Sequence, residues 1–358
     1  MSRFLNSKFN SLTPYTPGEQ RQSPGLIKLN TNESPFPPST KVIEAINAAE
    51  MSKLNLYPDP ESSVLVKAIS KHYNIPESKI IAGNGSDELL AFSFMVFQNE
   101  SRKICFPDIS YGFYKVYAEV FGANAQLNRL DDNLMIAPED YFNAGGTIVI
   151  ANPNTPTGTV LSLESIEEVL KTNKDNLVII DEAYVNFGTQ TGLQFIEKYD
   201  NLLVIQTFSK DRNLAGARIG MAFGHEEVIK DLNKIKYSFN PYNLNRLSIL
   251  AGTAAIEDNA YFEACTGKIK HTRQEFVKDM EAIGFSVIPS LANFVLVKHD
   301  KISGGEYYKA LKNKNILIRH FENERIKDYV RITIGKKQEM DELIRATKTI
   351  MLSKEKRD

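Results

Sequence analysis

Lys210 stands directly after an apolar run, in Thr207-Phe208-Ser209-Lys210-Asp211-Arg212-Asn213-Leu214-Ala215-Gly216-Ala217-Arg218-Ile219-Gly220. A lysine placed there, with Arg218 eight residues on and a glycine between, suits covalent capture of an aldehyde beside a phosphate. Partial burial and a neighbouring cation lower a lysine pKa, which an amine nucleophile needs near neutral pH. Taken alone, such a lysine is more often a surface charge. Asp181, in Asp181-Glu182-Ala183-Tyr184, closes another apolar run. A carboxylate at a buried strand end is costly unless it meets a cation or a donor. A protonated pyridine nitrogen is one such partner; an arginine or a helix N-terminus is the structural alternative.

Two further clusters share this placement. Gly83-Asn84-Gly85-Ser86-Asp87-Glu88 follows an apolar run and precedes an apolar helix. Its glycines let backbone approach an anion, and the free N–H groups of a helix start favour a phosphate. Glu88 stands where a dinucleotide fingerprint has its third glycine, so that reading is weak. Asn152-Pro153-Asn154-Thr155-Pro156-Thr157-Gly158 fixes an unusual turn after a buried strand, and a rigid connector is its plainer reading.

The elements that must position these clusters alternate apolar strands with amphipathic stretches. The strands are expected at Ile80-Ile81-Ala82, Lys103 to Phe106, Thr147 to Ala151, Leu177 to Asp181, Leu202 to Thr207 and Arg218 to Phe223. Strands lacking polar alternation, separated by helical patterns, imply a mostly parallel sheet covered on both faces, hence an α/β domain. In such sheets ligands gather beyond the carboxyl ends of the strands, where the clusters fall. A helix capped at Ser39 or Thr40 and carried by Val42, Ile43, Ile46 and Ala49 precedes this region, and a long helix is expected near Ala251. Phe285 to Pro289, Phe294 to Val297, Ile316 to Arg319 and Val330 to Ile334 read as strands of a smaller α+β lobe closed by a helix from Gln338. The expected division is an ordered N-terminal arm joining the small domain (1–40), a large domain (41–255) and a small C-terminal domain (256–358).

Composition narrows the function classes. Lys and Arg number 43 against 44 Asp and Glu, and no basic run is interleaved with aromatics, which argues against nucleic acid. Cys105 and Cys265 form no CxxC, and His72, His225, His271, His299 and His320 lack metal-ligand spacing. No metal site is expected, and a reducing compartment follows. No run approaches the roughly 18 apolar residues of a membrane helix, and no apolar leader is visible. A cytoplasmic chain is the expectation.

Together the clusters resemble the fold-type I, aspartate-aminotransferase-like enzymes that use pyridoxal 5′-phosphate, and within them the histidinol-phosphate aminotransferases. The resemblance runs in order through Leu29-Asn30-Thr31-Asn32-Glu33, Tyr57-Pro58-Asp59, Gly83 to Glu88, Asn152 to Gly158, Asp181 to Tyr184, Ser209 to Gly220 and Arg331-Ile332-Thr333-Ile334-Gly335. It implies a large domain with a mostly parallel seven-stranded sheet. It implies that Lys210 carries the cofactor as a Schiff base and moves the substrate proton, and that Asp181 keeps the pyridine nitrogen protonated. Asn152 and Tyr184 would bond the ring oxygen, and Tyr111, in Pro107-Asp108-Ile109-Ser110-Tyr111, would stack on the ring. Gly85, Ser86, Asp87, Ser209 and Arg218 would hold the phosphate. Tyr57 would reach the cofactor of a second subunit, which makes the active unit a homodimer with shared sites.

For the substrates, the resemblance assigns anion binding to Arg331 and Arg319, closure over the site to Tyr15, Asn32 and Glu33, and a further contact to Tyr242. Asp211-Arg212-Asn213 departs from the small or apolar residues common after the lysine. The implied activity transfers an amino group from L-histidinol phosphate to 2-oxoglutarate, a step of histidine biosynthesis. A decarboxylase of phosphothreonine or phosphoserine, an aromatic amino-acid aminotransferase and a non-catalytic regulatory module are the alternatives. The last sits poorly with Lys210 and Asp181 both present.

Overall fold

The computed structural model describes residues 3–20, 23–98 and 102–355. Its strands are β1 (Ile27–Lys28), β2 (Ile80–Gly83), β3 (Lys103–Pro107), β4 (Ala125–Asn128), β5 (Gly146–Ala151), β6 (Val178–Asp181), β7 (Leu202–Thr207), β8 (Gly220–Gly224), β9 (Ser286–Ile288), β10 (Phe294–Lys298), β11 (Ile316–Leu317), β12 (Arg319–His320) and β13 (Val330–Thr333). The ends of the outer expected ranges, 1–2 and 356–358, lie outside the described residues.

Seven strands form one sheet in the order β2-β8-β7-β6-β5-β3-β4. β8 runs antiparallel to both neighbours and the remaining pairs are parallel. Every residue of β5, β6 and β7 is buried, as strands covered on both faces require. Alternation along them divides the core: Ile148, Ile150, Val178, Ile180 and Val204 face one layer, and Val149, Ile179, Leu203 and Ile205 the other. The reversed direction of β8 matters for function. It brings the start of this strand, and Arg218 just before it, to the edge where β2, β5, β6 and β7 end.

β4, Ala-Gln-Leu-Asn, escaped the sequence reading because it is a largely uncovered edge strand with only Asn128 buried. The helix after Ser39 is shorter than its apolar spacing suggests. Ser39 Oγ accepts from Val42 N and caps Thr40–Ala45, but Ile43 is 62% exposed and a separate turn covers Ala48–Met51. The long helix expected near Ala251 is two helices, Arg246–Glu257 and Asn259–Ala282, which meet at Asp258.

The second sheet, β12-β13-β10-β9, is antiparallel. The run expected as one strand from Ile316 to Arg319 divides at Ile318, its two pieces joining different sheets. β11 pairs in parallel with β1 of the arm, Ile27 opposite Ile316 and Lys28 opposite Leu317. Leu29, Phe276, Phe294, Ile316, Ile332 and Leu343 pack in one core under the closing helix Lys337–Glu355. Among the described residues no helix is long and apolar enough to cross a membrane.

Candidate active site

The loop after β7 carries Lys210 into a cavity of about 320 Å³ that Asp181, Tyr111, Ser86, Ser209 and Arg218 also line. The ammonium of Lys210 donates to Thr31 O at 3.3 Å. Loss of water around it brings the lysine down to about 8, helped by the charge of Arg331 and opposed by Glu33 and Asp87. An amine in that range is available as a nucleophile near neutral pH.

Asp181 ends β6 on the floor of the same cavity and is 4% exposed. One oxygen accepts from Tyr114 Oη at 2.7 Å and the other from Ala183 N at 3.2 Å. Burial pushes its pKa up to about 6, and Tyr114 and Ala183 pull it back. Among the described residues no lysine, arginine or histidine forms an ion pair with it. A buried carboxylate with donors but no countercharge fits a cationic ring N–H arriving with a ligand.

The opposite end of the cavity suits an anion. Gly85 opens the helix Gly85–Val96 with φ of 79°, and the N-cap residue Asn84 makes no side-chain cap there. A Cβ on Gly85 would strike the Arg218 guanidinium, and one on Gly220 would strike the backbone of Gly85 and Ser86. Arg218, itself at φ of 54°, donates to Asp87 Oδ2 at 2.8 Å. Asp87 also accepts from Tyr111 Oη at 2.7 Å. Thr207 Oγ1 donates to Ser209 Oγ at 3.0 Å. Two hydroxyls, a guanidinium and a helix start thus surround one pole, the donor set of a phosphate.

A wider cavity of about 450 Å³ shares Lys210, Tyr111 and Tyr184 and opens toward Tyr15, Asn32, Arg319 and Arg331. The Arg331 guanidinium donates to Thr155 Oγ1 at 3.2 Å and Asn30 O at 3.1 Å, and its Nε has no partner among the described residues. Arg319 donates to the arm carbonyls of Pro17 and Thr16 at 3.3 and 3.1 Å. Asn32, at φ of 55°, donates to Tyr184 Oη at 2.9 Å and accepts from Thr333 Oγ1 at 3.0 Å. Tyr15 stacks on Phe113 with ring centroids 4.3 Å apart. Glu33 lines the narrower cavity and pairs with Lys28.

Three expected side chains line neither cavity, Tyr57 among them as one expected to serve a second subunit. Asn152 lines neither cavity: its side chain accepts from Leu161 N at 2.8 Å and donates to Leu161 O at 3.1 Å. Thr155, three residues on in the same turn, lines both cavities, and the sequence reading passed over it. Tyr57 and Tyr242 also line neither. They stack on each other, centroids 4.4 Å apart, with Tyr57 78% exposed. Tyr114 was missed as well: it lies inside the helix Phe113–Phe121 while Tyr111 precedes it, so no helical spacing links the two.

The unusual residues after the lysine point away from both cavities. The Arg212 guanidinium donates to Ala255 O at 3.2 Å, meets His72 Nε2 at 3.1 Å and lies 3.7 Å over the Phe262 ring. Asp211 accepts from Asn186. These side chains brace the lysine loop from behind.

The family model for aminotransferase class I and II matches residues 24–346. Histidinol-phosphate aminotransferase of Clostridium beijerinckii is 49% identical over 99% of this chain and 99% of its own length. That of Brachyspira hyodysenteriae is 48% identical over 98% of this chain and 99% of its own. Among solved structures, the histidinol-phosphate aminotransferase of Clostridium acetobutylicum has a TM-score of 0.84 at 28% identity, covering 91% of this chain and 99% of that one. The Sinorhizobium meliloti enzyme, solved in complex with pyridoxal-5′-phosphate, has a TM-score of 0.87 at 24% identity, covering 98% of this chain and 100% of that one, and speaks for the fold. With the lysine, the unneutralised carboxylate and the anion pole gathered at one sheet edge, these matches make the chain a member of the class I and II aminotransferase family.

Proposed function

We propose that this chain is a histidinol-phosphate aminotransferase that uses pyridoxal 5′-phosphate. It would convert L-histidinol phosphate and 2-oxoglutarate to imidazole acetol phosphate and L-glutamate. The observation that carries the reading is the buried, unneutralised Asp181 carboxylate sharing one cavity with a lysine brought down to about 8. The near full-length identity to relatives of that name supports the substrate.

When bound, the cofactor supplies an electron sink for the charge left on the substrate carbon. Lys210 Nζ would hold the cofactor through its aldehyde. The lysine amine, once free, would take the proton from the amine-bearing carbon of the substrate and return it. Asp181 would balance the charge of a protonated ring nitrogen, and Tyr111 would pack against the ring. Ser86, Ser209, Arg218 and the amides of Gly85 to Asp87 hold the phosphate. Tyr184 Oη serves the ring oxygen, and Asn152 supports the turn behind Thr155. Arg331 and Arg319 take substrate carboxylate or phosphate, because guanidinium forks match either. Tyr15, Asn32 and Glu33 close the arm over the substrate and exclude water. The exposed Tyr57 and Tyr242 pair supports a homodimer in which Tyr57 completes the site of a second copy, and a cytoplasmic location accords with the reaction.

The test is the absorbance spectrum of the holoprotein, first with L-histidinol phosphate alone and then with 2-oxoglutarate. Loss of the yellow band with the first and its return with the second establish transamination on this substrate. An unchanged spectrum, with carbon dioxide released from phosphothreonine or phosphoserine, would replace the reading with a decarboxylase.

A further inference from the structure

We infer that Tyr114 is a positioning residue for this reaction, its phenol orienting Asp181 while its ring backs Tyr111. The inference rests on the aminotransferase reading and extends it to a side chain behind the cavity. Tyr114 lies in the first turn of the helix Phe113–Phe121, 67 residues from Asp181 in sequence. Its hydroxyl donates to Asp181 Oδ2 at 2.7 Å. Its ring meets Tyr111 edge to face, centroids 5.6 Å apart at 86°. Phe94 stacks on it at 6.0 Å and Phe106 meets it at 5.8 Å, so the fully buried ring has no room to swing away.

A buried tyrosine hydroxyl normally finds a partner, and any backbone carbonyl would satisfy it. Here the partner is the carboxylate that lines the cavity without a countercharge. A donated O–H favours the ionised carboxylate, the form a cationic ring nitrogen needs. It also occupies Oδ2, which fixes the rotation of the carboxylate. The titratable groups that face Asp181 are Asp87 and Tyr117 from neighbouring helices, Tyr184 and Glu182 from its own strand end, and Tyr114. Tyr114 makes the one side-chain hydrogen bond to it among the described residues.

The experiment compares wild type, Tyr114→Phe, Asp181→Asn and the double variant, reading cofactor affinity by equilibrium dialysis and the pH profile of kcat/KM. Tyr114→Phe keeps the ring and should weaken cofactor binding about tenfold, which is ~1.4 kcal/mol for a hydrogen bond to a charged acceptor. It should also move the acid limb of the profile to higher pH, because Asp181 then protonates sooner. In the Asp181→Asn background the same change should cost nothing further. Wild-type affinity with an unmoved acid limb in Tyr114→Phe overturns the inference, and so does a fully additive loss in the double variant. Wild-type affinity in Asp181→Asn itself would instead remove the underlying reading of Asp181. Should Tyr114→Phe fail to fold, 3-fluorotyrosine at position 114 is a stronger donor and should shift the acid limb to lower pH. No shift there rejects the role equally.

Discussion

The ammonium nitrogen of Lys210 lies 3.3 Å from the carbonyl oxygen of Thr31, although 179 residues separate them in the chain. Thr31 follows β1, which is tied to β11 of the small lobe, and precedes Asn32, whose backbone N–H donates to Thr333 Oγ1 at 3.0 Å. The arm therefore hangs from the small lobe and lays its backbone against a lysine delivered by the large sheet. Burial lowers Lys210 to about 8, while the Thr31 carbonyl, by accepting from the ammonium, favours the charged form. Movement of the arm would change both access to the amine and its charge.

Lys210→Ala should abolish borohydride-trappable cofactor and remove the proton carrier. Positioned proton transfer alone is worth roughly 10²–10⁴-fold in rate, so kcat should fall at least that far while the fold persists. Turnover within tenfold of wild type, or cofactor still trapped covalently, would refute the assignment.

The pH dependence of cofactor capture follows from the lowered lysine. The amine is neutral above about 8, so capture by the apoprotein should quicken as pH rises toward that value and then level off. Enclosure is the larger cause and the Arg331 charge the second. Arg331→Gln removes a positive neighbour, stabilises the ammonium, and should move the midpoint upward. A wild-type midpoint near the ordinary lysine value of about 10.4 would show that the enclosure is not felt in solution.

Much of this was legible in the sequence, for identifiable reasons. β5, β6 and β7 are buried on both faces, so their runs show no polar alternation, and each ends in a polar cluster at one edge of the sheet. Lys210 and Asp181 were read from those ends, Arg218 from its place beside Lys210, and Tyr111 from the resemblance; all four line one cavity. The rest depends on contacts that no run of residues announces. The resemblance implies Asn152 at the ring oxygen; its amide nitrogen and oxygen also engage Leu161, nine residues on. Thr155, named in the same turn without a role, lines both cavities. The division of Ile316–Arg319 between two sheets depends on β1, nearly three hundred residues away, which no local pattern reveals.

Arg331→Lys tests substrate recognition. The guanidinium donates to Thr155 and Asn30 while lying over the Phe294 ring at 5.2 Å. A point-charge ammonium cannot keep both bonds and still offer a fork to a carboxylate. Losing charge-assisted bonds worth about 1.5–3 kcal/mol should lower kcat/KM by roughly 10- to 100-fold, mostly through KM. An unchanged KM for both substrates would place anion recognition on Arg319 instead.

Arg325 joins the small lobe to the cavity mouth. It pairs with Asp108 at 2.9 Å and donates to the carbonyls of Leu130 and Asp131 at 2.7 and 2.8 Å. Three bonds to one guanidinium exceed a simple surface pair, and Arg325→Ala should cost about 1–3 kcal/mol in denaturant unfolding. A loss below about 0.5 kcal/mol would reduce it to an exposed rim contact.

The shared site of the proposed homodimer can be tested by complementation. Tyr57 is 78% exposed and stacked on Tyr242, and neither ring lines the cavities of its own chain. Such an exposed aromatic pair fits a surface covered by a second copy. If Tyr57 serves the cofactor phosphate of that copy, Tyr57→Ala weakens every site of its own dimer, and Lys210→Ala silences every site of its own. Mixed after subunit exchange, each heterodimer holds one site with both residues intact and one with neither. With complete exchange, half the dimers are heterodimers, so activity should recover to about a quarter of the wild-type value per total site, because mixed assembly follows mass action. Activity no higher than the mean of the two parent variants, with exchange verified by a tag, would mean that Tyr57 serves only its own chain.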